Sequence, residues 1–126
     1  MTRKFEFQIG ETYTRRKISK ELGGSMVSYL PRVGDTVVCG CFTRDLNPDV
    51  PSKISFGAGP EVEHAAEVLA VQAEAIPVFI KKCSNAWEYK GLFRATKLSK
   101  DKALVVRESK KAIRPVVGVI FLDEVK

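Results

Sequence analysis

Aromatic and cationic side chains alternate in this chain at positions where loops and strand ends are expected. Tyr13, Tyr29, Phe42, Trp87 and Tyr89 fall at such places, interleaved with Arg15, Arg16, Arg44, Lys81 and Lys82. This combination suits nucleic acid: cations hold the phosphate backbone while an aromatic or proline-lined pocket receives a base or an altered group. The same residue types also build ordinary cores. Tyr89, in mid-strand, fits a core better than a surface, and Trp87, next to a turn, fits either.

Other chemistries have weaker support. Cys39, Cys41 and Cys83 with His64 are the only candidates for a soft metal site. Cys-x-Cys on a strand is not the Cys-x-x-Cys knuckle of structural zinc, and His64 falls on the polar side of a helix. No metal or cofactor is expected, and the thiols read as reduced, small buried hydrophobes. A Cys–His nucleophile would have to use the one histidine in the chain, and both cysteine segments read as core. Pro48-Asp49 and the later Glu88-Tyr89-Lys90 copy the proline-acid and acid-x-lysine elements of a metal-dependent nuclease site. Here, however, the acid lies in a proline-stiffened loop and not at a strand end. Gly57-Ala58-Gly59 precedes a helix but lacks the further glycine and lysine of a phosphate-cradling loop. These signals favour binding over turnover.

The charge pattern points the same way. The 126-residue chain carries a net charge of +6, unevenly spread. From Asp35 to Glu74 the only cations are Arg44 and Lys53, against Asp35, Asp45, Asp49, Glu61, Glu63, Glu67 and Glu74. From Ile76 to Arg114 the balance reverses, with Lys81, Lys82, Lys90, Arg94, Lys97, Lys100, Lys102, Arg107, Lys110, Lys111 and Arg114 facing only Glu88, Asp101 and Glu108. A basic face built from the second half and the opening helix suits a polyanion. The length suits one domain, 1–126. No apolar run approaches the roughly 20 residues needed to span a bilayer, and no signal-peptide core follows the charged start. An intracellular location is expected, cytoplasmic in a bacterium or nuclear in a eukaryote, with no membrane partner.

The elements that must position these residues follow from periodicity. Phe5, Phe7 and Ile9 alternate with polar residues as a strand ending at Gly10. Tyr13 to Gly24 is a short basic helix: Thr14 suits the N-cap and Gly23 the left-handed stop, Ile18 and Leu22 share one face, and Arg16 and Lys20 share another. Met26 to Pro31 is expected to be extended, because Pro31 biases Leu30 away from helix. Thr36 to Phe42 reads as one strand buried on both faces, with Cys39 and Cys41 pointing the same way. Thr43 to Ser52 is a loop stiffened by Pro48 and Pro51, followed by a short strand, Lys53 to Phe56. Val62, Ala65, Ala66, Leu69 and Ala73 form the stripe of a second helix begun by Pro60, with Glu61 and Glu63 at its positive end. Strands are then expected at Pro77 to Lys82, Trp87 to Leu98, Ala103 to Arg107 and Pro115 to Leu122, with a turn at Ser84-Asn85-Ala86. The sum is an α+β fold: a small, curved β-barrel of about seven strands with two helices.

Phe7-x-Ile9-Gly10-x-x-Tyr13-x-Arg15-Arg16-x-Ile18, then Leu22-Gly23-Gly24 and Pro31, resembles the opening of the sulfur-binding domains of type IV restriction endonucleases. Those domains are similar to the wider PUA-like group that includes SRA domains. The later order is also similar: a glycine-containing turn before a helix, the Ile76 to Lys82 strand, then Trp87-x-Tyr89-x-Gly91-x-Phe93. Matching residues are Tyr13, Arg15, Ile18, Gly23 and Gly24. Ser19 stands where a histidine is common in that family, Ser25-Met26-Val27-Ser28 replaces its glutamine- and arginine-rich tract, and no nuclease domain follows. The resemblance implies a PUA-like/SRA-like fold and recognition of modified DNA, a modified base or a phosphorothioate backbone. Under this reading Arg15, Arg16, Lys20, Arg44, Lys81 and Lys82 contact the nucleic-acid backbone. Tyr13, Tyr29, Phe42, Asn47, Pro48, Pro51 and Trp87 form the pocket. The partner is DNA, with RNA as the other candidate, and cutting would come from a nuclease module on a longer or partner chain. A metal-dependent nuclease and a protein-interaction domain remain the alternatives.

Overall fold

The computed structural model describes residues 7–125. The elements are β1 (Thr12–Tyr13), α1 (Arg15–Leu22), β2 (Arg32–Val33), β3 (Thr36–Val37), β4 (Gly40–Phe42), β5 (Lys53–Phe56), α2 (Pro60–Val71), β6 (Ile76–Cys83), β7 (Ala86–Ser99), α3 (Lys102–Ala112) and β8 (Gly118–Glu124). The main sheet runs β4-β6-β7-β8-β5, and β1 also pairs with β7; β2 and β3 form a separate hairpin. Only β4 and β6 are parallel among these pairs, so the sheet is mixed. β4 and β5 are its two edges and do not pair with each other. The α+β class holds, but the described residues form an open sheet, not a closed barrel, with three helices in place of the expected two.

The third helix replaces the strand expected at Ala103 to Arg107. Val105 and Val106 suggest β structure, but Asp101 caps a helix by accepting a hydrogen bond from Leu104 N (3.1 Å). Leu104, Glu108 and Ala112 then recur every four residues on the face turned to β8, against Val116, Val119 and Phe121. Glu108, 4% exposed, is held by Lys53 Nζ at 3.1 Å, with Lys111 at 3.7 Å and Arg107 at 3.8 Å. Lys111 and Lys53 also reach Asp49, which ties the helix to the proline loop. Their cations, the Lys111 hydrogen bond foremost, hold the Asp49 carboxyl below the usual carboxylate range. Replacing Glu108 by alanine should lower stability in urea unfolding by about 2 kcal/mol, since three partly solvated cations lose the carboxylate that anchors α3.

Three further expectations are corrected. Thr36 to Phe42 is not one strand: it divides into β3 and β4, which belong to different sheets. Gly40 allows the break, because a Cβ there would lie 2.5 Å from the Phe42 ring. Met26 to Pro31 is a series of bends, not an extended segment, because Ser25 Oγ accepts from both Val27 N and Ser28 N and closes a turn. The expected first strand lies partly outside the described residues; within them, Phe7 and Gln8 are irregular and Ile9-Gly10 is a turn.

Alternation along β6 and β8, with a register shift in the β6–β7 pairing between Val78 and Phe79, sorts the core onto the two faces of the sheet. Val78, Ile80, Phe93, Ile120 and Leu122 face α2, where Ala65, Ala66 and Leu69 pack against them with Phe42 and Phe56. Phe79, Trp87 and Tyr89 face the other way, against Ile18 and Leu22 of α1 and the buried Cys39 and Cys41. Uninterrupted alternation would put Tyr89, Gly91, Phe93 and Ala95 on one side of the strand; instead the pairing with β6 shifts register between Val78 and Phe79, opposite Gly91 and Tyr89, so Tyr89 packs on the α1 side and Phe93 and Ala95 on the α2 side. The β6 and β7 boundaries fall within a residue of those expected. α1 also follows expectation at its start, with Thr14 Oγ1 accepting from Lys17 N. Its stop differs in detail: Gly23 has φ 88° but ψ −176°, positive φ without the left-handed helical ψ. A Cβ at Gly23 would lie 2.8 Å from Val33, and one at Gly24 2.7 Å from Pro31. The double glycine thus seats the chain after α1 directly on the β2–β3 hairpin.

Candidate nucleic-acid interface

Trp87 is the second residue of β7, just after the Ser84-Asn85 turn, where Asn85 sits at φ 54°. Its indole is flanked by cations: Arg15 Cζ lies 5.1 Å from a ring centroid and Lys81 Nζ 5.8 Å from one. Lys81 is the direct cross-strand neighbour of Trp87. Arg15 is placed by α1, whose first backbone N–H donates to Asn85 Oδ1 at 3.3 Å, so the helix start and the β6–β7 turn are joined.

Below Trp87 is a cavity of about 340 Å³. Tyr29, Phe42 and Trp87 give it aromatic walls, Met26, Val27 and Leu46 apolar ones, and Arg15, Cys41, Thr43 and Asn47 complete it. Met26, Val27 and Leu46 are exposed at its rim, Val27 by 91%. On the other side of Thr43 a second hollow, about 490 Å³, is lined by Arg44, Asp45, Lys81, Lys82, Cys83 and Ser84. An apolar pocket and a cationic groove therefore share a wall.

The expected site residues divide accordingly. Tyr29, Phe42, Asn47 and Trp87 line the pocket, and Arg44, Lys81 and Lys82 line the groove. Lys82 also pairs with Glu88 at 3.6 Å, and the hydrogen bond from Lys90 does most to hold the Glu88 carboxyl below its ordinary range. Arg16 and Lys20 are exposed on α1 and line neither hollow. Tyr13 is not a pocket wall: it packs edge-on against Phe7 at 4.9 Å, and its hydroxyl accepts from Gln8 N. Pro48 and Pro51 lie in the loop behind Asn47, the latter after a cis peptide bond, and line neither cavity. Asn47 is the hub of that loop, 5% exposed, with Oδ1 accepting from Ser55 N at 2.8 Å.

Arg15 is the main surprise. It is 9% exposed and turned inward, with Nη2 donating to the carbonyls of Ser25 (2.9 Å) and Ser28 (2.8 Å). These bonds clamp the Ser25–Ser28 turn that carries Met26 and Val27 to the pocket rim. Its charge also bears on the cysteine pair: a hydrogen bond from Cys39 and the nearby guanidinium favour the Cys41 thiolate, whereas that bond and burial push Cys39 up. Met26 and Val27 are not legible as site residues in the sequence; the available signal is an apolar pair between serines directly after a double glycine.

Asp49 and Glu88, the acids of the nuclease pattern, are engaged by different lysines, Asp49 by Lys111 and Lys53 and Glu88 by Lys90 and Lys82. Among the described residues no three His, Cys, Asp or Glu side chains are grouped to hold a metal ion. No family model matches the chain, and no curated protein or solved structure is similar to it at a level that carries an argument.

Proposed function

We propose that this is a non-catalytic, PUA-like nucleic-acid-binding domain that recognises modified DNA. The Arg44–Lys81–Lys82 groove holds the backbone, while the pocket under Trp87 takes a base or a modified group. The observation that carries this reading is the shared wall: Thr43 lines both hollows, and Trp87 stands over the pocket with Lys81 across the strand pair. A phosphate in the groove would leave its neighbouring nucleotide within reach of the aromatic walls, the division of labour by which backbone contacts position and pocket contacts specify. The pocket's volume is in the range of small-ligand sites, and its apolar lining suits an uncharged face or a soft substituent. The resemblance of the opening residues to sulfur-binding domains supports the same partner, with any cutting supplied by another module.

Titration of methylated, hydroxymethylated, phosphorothioated and unmodified duplexes, with RNA alongside, at two salt concentrations tests this reading. One modified duplex should bind about tenfold or more tighter than its unmodified counterpart, and affinity should fall steeply with salt. Absence of salt-sensitive binding to every probe, or tighter binding of RNA, would overturn it.

A further inference from the structure

A third hollow, about 180 Å³, lies behind the pocket, between β5, α2 and the residues after α3. Tyr29, Leu46 and Asn47 divide it from the pocket, and Phe56, Val62 and Arg114 line its far side. The charge at Arg114 is not balanced. Nη2 donates to Ser55 O at 2.8 Å, Nε is buried without a partner, and Nη1 makes no hydrogen bond to the described residues. No carboxylate among the described residues lies within ion-pair distance of it. Burial disfavours the Arg114 cation. The neighbouring acid, Tyr29, is pushed far above its ordinary range by its own burial and donates its hydroxyl proton to Val62 O at 2.6 Å, so it stays neutral and supplies no counter-charge. Glu63, whose charge also raises Tyr29, accepts a hydrogen bond from Gly59 N at 3.0 Å.

The backbone that delivers this arginine is strained. Ile113, 91% exposed, takes the left-handed conformation (φ 54°, ψ 40°) that a β-branched residue disfavours by about 1–2 kcal/mol. So exposed a side chain buries too little to offset this. The turn it makes brings Arg114 back beneath Leu46 and Ser55, where Arg114 N and Val116 N close on Ser109. The left-handed residue is the C-cap that ends α3, and the turn leaves a partly desolvated cation, without an ion-pair partner among the described residues, at the edge of an apolar hollow.

We infer that this hollow binds a small monocarboxylate, its carboxylate on the Arg114 guanidinium and a short apolar body against Phe56, Val62 and the Tyr29 ring. The space equals about six water volumes at roughly 30 Å³ each, which admits a body of about four to six carbons. The remaining guanidinium donors give the charge-assisted geometry a carboxylate favours. This site stands apart from the nucleic-acid reading, and neither outcome there decides it.

The test is NMR titration of the full chain with sodium butyrate and sodium benzoate, against benzamide, 1-butanol and sodium phosphate at matched ionic strength. The expected result is saturable shifts centred on the Arg114 side chain and the Phe56 and Val62 amides, with the neutral analogues about tenfold or more weaker. Arg114→Met should abolish the shifts. Val62→Phe, which fills the hollow and keeps the guanidinium, should abolish them too while the rest of the spectrum stays folded. Equal response to benzamide, a response to phosphate as strong as to carboxylate, or unchanged binding in Val62→Phe would each overturn the inference.

Discussion

Replacing Arg15 with methionine is expected to cost the fold about 3–5 kcal/mol and to weaken nucleic-acid binding without changing its salt dependence. The stability loss follows from what the guanidinium touches. Two backbone carbonyls, of Ser25 and Ser28, lose their donor in a partly buried setting, at about 1–1.5 kcal/mol each. The stack on Trp87 adds about 1–2 kcal/mol. Binding weakens because the Met26–Val27 rim is no longer clamped over the pocket. The salt slope stays, because a group facing two carbonyls has no phosphate to neutralise and no counterion to release. Arg15→Lys should recover only part of the stability: an ammonium retains charge but cannot lie flat on the indole while bridging two carbonyls. Urea unfolding and binding titrations at two or more salt concentrations read both quantities. A methionine variant with wild-type stability and a slope reduced by about 0.9 would instead make Arg15 a direct phosphate contact.

The converse variant, with Arg44, Lys81 and Lys82 all changed to alanine, should fold normally and bind far more weakly. All three side chains belong to exposed residues, so stability should change by less than about 1 kcal/mol. The salt slope should drop by about 0.9 for each phosphate left without its cation, and affinity at physiological salt by about 100-fold or more. The weakening should be similar for modified and unmodified duplexes, since the groove positions and does not specify. Tyr29→Ala and Phe42→Ala, by contrast, should erode the preference itself. A triple variant that binds as tightly as the native chain would move the backbone contact elsewhere, with Arg16 and Lys20 of α1 the next cations to remove.

Much of this arrangement is legible in the chain because strong periodicity and strong punctuation coincide there. The long alternation from Trp87 to Phe93, the Pro60 start of α2 and the Thr14 cap of α1 each combine a burial pattern with a terminus signal. α3 is not legible because its signals conflict: Val105-Val106 reads as strand, and the helical stripe is carried by a glutamate, which looks like a surface residue until Lys53 arrives from 55 positions away. The division of Thr36 to Phe42 is hidden for a related reason. An apolar run shows that a segment is buried but not which sheet receives it, and the deciding contact, Phe42 folded over Gly40, depends on tertiary packing. In the site, residue type points to the groove cations and most of the aromatic walls as a group. The direction of Arg15 is illegible, since an arginine facing solvent and one facing two carbonyls have the same neighbours in sequence.

The position of Trp87 also gives the protein an optical reporter. It is the only tryptophan in the chain, 8% exposed, and stands beside two cations at the mouth of the pocket. Its emission is therefore free of contributions from other indoles, and a base stacking beneath it or a shift of either cation would alter quantum yield and emission maximum together. Unlabelled protein can thus be used to follow occupancy of the pocket in real time, and a ligand confined to the hollow behind Tyr29 should leave that signal far less changed than one entering beside the ring.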